Sequence, residues 1–276
     1  MKKTLILSIT LILFAVQMMG QKARIDTATL RCKYTFTHIT NLTKNTGYSE
    51  LMTLDIGKNI CKFYSENQEL YDSIMKEQVL TAMEKAGASR KITLVSPSSV
   101  SQSREKTVVF FNYPIGKITV SERIIEFYEY TENIESINWQ FFPDEAKEIL
   151  GYNCKKATCT FRGRDYEAWY APDIPINRGP YKFSGLPGLI LRVSDSQEQV
   201  QFVCESIEKL SVPITIDNEI YGDAVKISRR EYLKIERDFY GNPMSVMGQF
   251  SGTGTDASGN PLPPVRNLPY NPIELE

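Results

Sequence analysis

The sequence predicts a β-rich α+β fold, a mainly antiparallel curved sheet or incomplete barrel with two or three helices. Three observations predict it. Short stretches rich in β-branched and aromatic residues recur along the chain, separated by turns bearing Gly, Pro and Asn. Helical periodicity appears in only a few places. With 276 residues, 42% of them hydrophobic and 11% aromatic, the chain has apolar material for one sizeable core.

Residues 30–39 and 50–56 have strand composition, with Asn45-Thr46-Gly47 as a turn between them, and residues 59–65 continue the meander. Residues 66–87 change character. Tyr71, Met75, Val79, Ala82 and Ala86 recur at steps of three and four, so a helix is expected there, with Gly87 as its C-cap. Residues 96–103 are a polar loop. A strand at 107–113, a turn at Pro114-Ile115-Gly116, a long strand at 117–130 and another strand at 137–142 follow. Residues 143–151 predict a short helix, because proline opens the stretch, acids fill its first turn and glycine ends it.

Residues 154–161 and 166–170 predict a hairpin with Gly163 at its tip. Residues 189–193 and 199–210 predict a further antiparallel pair, joined through residues 195–198. Ser228-Arg229-Arg230-Glu231 is a capping box that opens a helix ending at Gly241-Asn242-Pro243. Beyond Ser251 the density of Gly and Pro predicts an irregular tail, whose last residues, 272–275, have the apolar content to dock. The expected organisation is a signal peptide at 1–20, one domain at 21–250 and a Pro/Gly-rich tail at 251–276.

The most distinctive run joins these last strands. Ala168-Trp169-Tyr170 leads into a crossing fixed by Pro172, Pro175 and Pro180, which lack amide donors and so belong outside a central strand. It continues through Gly179-Pro180-Tyr181-Lys182-Phe183 to Gly185-Leu186-Pro187-Gly188-Leu189-Ile190. Leu186-Pro187-Gly188-Leu189 reads as a type II turn with Gly188 at positive φ, and Gly185 as a point of close backbone approach. Trp169, Tyr170, Tyr181 and Phe183 have the chemistry to line a groove. Lys182, Arg162, Arg164 and Arg192 have the chemistry to hold an anion.

The hexapeptide at 185–190 resembles the signature of the GLPGLI family, exported and largely uncharacterised proteins of the Bacteroidota. The resemblance extends to residues 179–183, 168–170, 151–157 and 271–275. It implies an exported envelope protein. It implies no particular reaction and no catalytic residues.

The N-terminus agrees with export. Lys2-Lys3 precedes an apolar run at 5–16, and Gly20 is a natural cleavage point. The run is short for a transmembrane span, and no other stretch is long and apolar enough, so the mature chain is expected in the periplasm or outside the cell. No cysteine follows the run closely enough for a lipid anchor. Without Lys2 and Lys3, 30 basic residues face 33 acidic ones, a net charge of −3 that disfavours nucleic acid as a partner. The five cysteines, Cys32, Cys61, Cys154, Cys159 and Cys204, include an odd one. Cys154 and Cys159 sit at an odd offset on one expected strand, hence on opposite faces and too far apart to bridge. Neighbouring strands are the better source of any pair, and buried free thiols are the alternative.

Catalytic signatures are sparse. The single histidine, His38, alternates with apolar residues in its strand and has no nucleophile elbow to serve. One histidine and no C-x-x-C argue against a zinc or iron site, and no P-loop or dinucleotide fingerprint is present, so no metal or cofactor is expected. The acids, Asp173, Glu126 and Glu129 among them, keep a carboxylate-pair hydrolase open. The favoured expectation is a non-enzymatic exported protein that binds an envelope protein or an apolar ligand through the crossing. The alternatives are that hydrolase, or a structural module of a surface assembly that docks through the tail.

Overall fold

Alternation decides the centre of the fold. Ala28, Leu30, Cys32, Tyr34, Phe36 and His38 are all buried, and the residues between them are not. That period of two makes a strand with one face on the core. The structure, a computed structural model of the chain, describes residues 23–86, 100–124, 126–216, 224–243 and 268–276, with α1 side chains described as far as residue 82. The expected signal peptide, the Gly87 cap and most of the Gly/Pro-rich tail lie outside the described residues.

β1 (Ala23–Asn41) pairs antiparallel with β2 (Thr46–Gly57) on one side and with β11 (Val200–Ile216) on the other. Outward from β2 come β3 (Cys61–Tyr64), β4 (Val108–Phe111), β5 (Lys117–Arg123), β6 (Phe127–Asn133) and β12 (Val225–Lys226). Outward from β11 come β10 (Leu189–Asp195), β9 (Arg164–Ala171), β8 (Tyr152–Phe161) and β7 (Gln140–Ile149). Among the described residues this is one open twelve-stranded sheet, antiparallel except where β12 joins β6. α1 (Glu66–Ala86) anchors to the outer face, where Glu66 pairs with Arg31 and Lys33 and Glu69 with Lys62. α2 (Arg229–Gly241) packs on the inner face. The predicted fold class holds.

Several elements differ from expectation. The predicted helix at 143–151 is strand β7. Its proline lies where pairing jumps from Phe142↔Lys156 to Ala146↔Lys155, and β7 is an edge strand. A bulge on an edge is where a sheet tolerates a missing amide. Leu150 and Gly151, at φ 52° and 80°, form the two-residue connection to β8. The predicted long strand at 117–130 is the β5–β6 hairpin. β1 and β11 are much longer than expected because each has a partner along nearly its whole length.

The two motif glycines exchange their expected roles. Gly185 has φ +94°, and Gly188 is not among the positive-φ residues. A Cβ on Gly188 would sit 2.2 Å from the Ala171 carbonyl oxygen, so it is Gly188 that permits close backbone approach, and the type II turn does not form.

Residues 172–188 fold onto the inner face. Leu189 N donates to Ile174 O (3.0 Å), Ile190 N to Arg178 O (2.9 Å), and Trp139 Nε1 to Ser184 O (2.9 Å). Phe183 and Leu186 are fully enclosed. Phe183 meets Tyr166 edge-on at 4.8 Å, and Phe36 stacks on Phe202 at 4.6 Å. Tyr34, buried in this core, donates its hydroxyl to Ile190 O at 2.8 Å. All five cysteines are buried free thiols. Cys154 and Cys159 are both enclosed in the main core despite their odd offset. Cys32 and Cys204 lie on the adjacent strands β1 and β11, and the neighbouring Cys204 together with burial raises the Cys32 thiol above its ordinary value.

Candidate functional site

The inner-face rows carry apolar side chains through the middle of the sheet and turn polar at one end. In β1 the row ends at His38, in β5 it runs Ile118, Val120, Glu122, and opposite β1 it includes Tyr48 of β2. α2 crosses this end. Its capping box is formed: Ser228 Oγ accepts from Glu231 N (3.2 Å), and Glu231 Oε2 accepts from Ser228 N (2.8 Å). Tyr232, Leu233, Glu236, Phe239 and Tyr240 form its inward stripe at steps of three and four. Tyr232 stacks on Tyr130 at 5.3 Å. Residues 268–274 close a further side.

These elements enclose a cavity of about 470 Å³. Six tyrosines line it (Tyr48, Tyr130, Tyr181, Tyr232, Tyr240 and Tyr270), together with His38, Glu105, Glu122 and Glu236. Arg104, Lys106 and Arg123 also contribute to its wall. Glu105 accepts from Thr107 N (3.0 Å), the Thr107 hydroxyl and Tyr48 OH (3.1 Å). Glu236 accepts from Tyr270 OH at 3.0 Å. The Tyr232 hydroxyl is buried with no well-formed hydrogen bond among the described residues.

Burial sets the electrostatics. It raises the Glu105 carboxyl despite three donors, and raises Glu122 well above the carboxylate range, with the charge of Glu105 adding to the effect. Burial also pushes Glu236 up to about 7, against the Tyr270 hydrogen bond, which favours its ionised form. It lowers His38 to about 4, although the Asn271 carbonyl opposes that. His38 is therefore neutral at pH 7 and donates Nε2–H to Asn271 O at 2.6 Å. The cavity thus presents tyrosine hydroxyls, a neutral histidine and carboxyls whose charged form burial disfavours, beside the cationic side chains of Arg104, Lys106 and Arg123.

The sequence-predicted motif lies beside this cavity, and most of it is core. Trp169, Tyr170, Gly179, Pro180, Tyr181, Lys182, Phe183, Leu186, Gly188, Leu189 and Ile190 are buried; Pro175, Gly185 and Pro187 are exposed. Of the fourteen residues only Tyr181 reaches the cavity wall. Of the predicted cationic group, Arg192 only reaches the exposed Glu198 at 3.9 Å, and the other three pair with carboxylates of the chain's own interior. Lys182 Nζ lies 2.6 Å from both Glu274 Oε1 and Glu132 Oε1. Arg162 pairs with Glu132 (2.8 Å), and Arg164 with Asp195 (3.0 Å). Glu105, Glu122 and Glu236 escaped sequence reasoning. Two of them carried a signal: Glu122 keeps the period of a buried strand row, and Glu236 falls within the apolar stripe of α2. No group of three or more His, Cys, Asp or Glu side chains among the described residues is placed to hold a metal, and no described helix is long and apolar enough to cross a membrane.

A family model described as a protein of unknown function (Porph_ging) matches residues 160–192, a stretch that contains β9, the crossing and the start of β10. Its name fits a family of the Bacteroidota. No curated protein matches the chain. Two solved structures of PNGF-II, in the P21 and C2 space groups, are each 14% identical with a TM-score of 0.48; the matches cover 76% and 78% of this chain. This chain spans about a third of their length, 33% in each case.

Proposed function

We propose that the chain is an exported, non-enzymatic binding protein whose ligand is a small neutral molecule, rich in hydrogen-bonding groups and with an apolar face, seated in the cavity between the sheet, α2 and residues 268–274. The observation that carries this reading is the lining: six tyrosines, four carboxyls and a neutral histidine, with Arg104, Lys106 and Arg123 at the wall, around about 470 Å³, a volume suited to a small ligand. Tyrosine faces stack on an apolar ring or chain while their hydroxyls and the buried carboxyls serve its polar groups. The buried Tyr232 hydroxyl, beside Glu122 and Glu236, adds a further hydrogen-bonding group to the wall. Small saccharides have this chemistry. The same lining argues against the purely apolar cargo expected from sequence.

The test is a thermal-shift and calorimetric screen of neutral mono- and disaccharides against the purified chain, repeated with Tyr232→Phe and Glu122→Gln. Saturable binding weakened by both variants is expected; no binding by any neutral polyol would overturn the reading. A second reading is favoured by one observation, the clustering of three protonatable carboxyls. On that reading the chain is a carboxylate-dependent hydrolase of saccharides or peptides. Product release that disappears in Glu122→Gln or Glu236→Gln distinguishes it from simple binding.

A further inference from the structure

We infer that the inner-face groove beside the cavity is a peptide-recognition site for an Asn-Pro-Ile-Glu element, filled here by residues 271–274 of the same chain and able to accept that element from a second copy. The inference stands apart from the identity of the cavity's ligand. It rests on how completely the element is read.

Asn271 Oδ1 accepts from Arg164 Nη2 (2.6 Å), and Asn271 Nδ2 donates to Ile39 O (2.7 Å) and Gln199 Oε1 (3.2 Å). The Asn271 carbonyl takes the His38 proton. Pro272 O and Ile273 O both accept from Arg164, at 2.6 and 3.0 Å. Glu274 Oε1 accepts from Lys182 Nζ (2.6 Å) and Tyr181 OH (2.7 Å), and Oε2 from Arg229 Nε (2.7 Å). Leu275 N then donates to Arg162 O at 2.9 Å.

None of these contacts is local. The reading residues come from β1, the β8–β9 turn, β9, the crossing, the β10–β11 connection and α2, and the nearest in sequence, Arg229, is 45 positions away. The element is therefore held as a docked peptide is held, by a surface assembled from remote parts of the chain. The groove is also fitted in shape: a Cβ on Gly163 would stand 2.9 Å from Leu275 Cβ. Selectivity follows from the charges. Lys182, Arg229 and Arg162 converge on one carboxylate, so a neutral or basic residue at that position leaves Glu132 as the one buried carboxylate these three cations share. Residues 242–270 separate the element from α2, a length of 29 residues that spans up to about 100 Å when extended. Exchange between copies is thus within reach of the chain.

The test uses the full chain and a fluorescent nonapeptide of residues 268–276, followed by anisotropy. In the unmodified chain the resident element competes at an effective concentration of roughly millimolar, so weak binding is expected. In a Glu274→Gln chain the resident element loses its charge, and the wild-type peptide should bind at least tenfold tighter than to the unmodified chain. A peptide carrying the same Glu→Gln change should show no such gain. An Asn271→Ala chain, which keeps the Lys182–Glu274 contact, is run in parallel with wild-type and Asn→Ala peptides, so that a folding defect in one variant leaves the comparison intact. The inference is overturned if the folded variant chains bind both peptides equally, or bind neither.

Discussion

Lys182 Nζ and Glu274 Oε1 lie 2.6 Å apart with both side chains almost wholly shielded from water, joining the proline crossing to a segment 92 positions further along the chain. Glu132, at 2.6 Å from the same ammonium, completes the arrangement. One buried cation thus serves two carboxylates, both of which also meet the Arg229 guanidinium.

Removing that cation should be costly. Lys182→Met leaves Glu274 and Glu132 short of a partner inside the fold, and the loss expected for breaking a buried ion pair is about 3–5 kcal/mol. Urea unfolding monitored by tryptophan fluorescence measures it. A loss below about 1 kcal/mol would show that Arg229 and Arg162 suffice on their own.

Acid should unfold the protein in two stages. Burial and the nearby Arg164 hold His38 at about 4, below its ordinary 6.5, so between those values the unfolded chain takes up a proton that the folded chain refuses, and stability falls as pH falls. Glu274 is held at about 2 against an ordinary 4.5: burial alone would raise it, and Lys182 and Arg229 overcome that. Its contribution, roughly 3 kcal/mol, is present above pH 4.5 and is lost as pH falls toward 2. Melting temperature against pH should show both limbs. His38→Gln should flatten the upper one and Glu274→Gln the lower.

Glu236 should act with the opposite sign. Its carboxyl, raised to about 7 mainly by burial, binds a proton in the folded chain where the unfolded chain has released it. Stability from this group is full below pH 4.5 and declines as pH rises through 7. Glu236→Gln is expected to raise the melting temperature at pH 8 and leave it nearly unchanged at pH 5. Carboxyl carbon NMR should show a resonance titrating near pH 7 that vanishes in the variant; its persistence would reassign the group.

The motif glycines make a paired prediction. Gly188→Ala drives a methyl to within 2.2 Å of the Ala171 carbonyl, which the strand must move to relieve, and about 3 kcal/mol or more should be lost. At Gly185 the space is open, with Trp139 at 3.7 Å, and only the φ of +94° opposes a side chain. About 1–2 kcal/mol is expected there. Chemical denaturation of the two variants decides the order, and a larger loss at Gly185 would contradict it.

Much of the fold was legible because period-two burial, hairpin turns and capping are local. The β8–β9 hairpin, its Arg162-Gly163 tip and the Ser228 capping box follow from neighbours in sequence. Residues 143–151 were misread because their helix signals are equally local, while the partner that makes them a strand, β8, lies across a turn whose geometry rests on Leu150 and Gly151. The glycine exchange has a similar origin. Pro187-Gly188 has turn composition, and only the passage of Ala171 alongside shows what the missing side chain is for.

The candidate site divides the same way. From the sequence alone came the β-rich class, the distinctive run around the crossing, and the cationic character of Arg162, Arg164 and Lys182. Tertiary structure decided what those cations hold and where the cavity lies, because both depend on pairs separated by tens to hundreds of positions. Arg164 meets Asn271 across 107 residues, and His38 meets the Asn271 carbonyl across 233. Residue type announces which groups need partners once buried, since an unpaired charge or amide is expensive in a core. Which partner satisfies them is settled only when the sheet brings remote strands side by side.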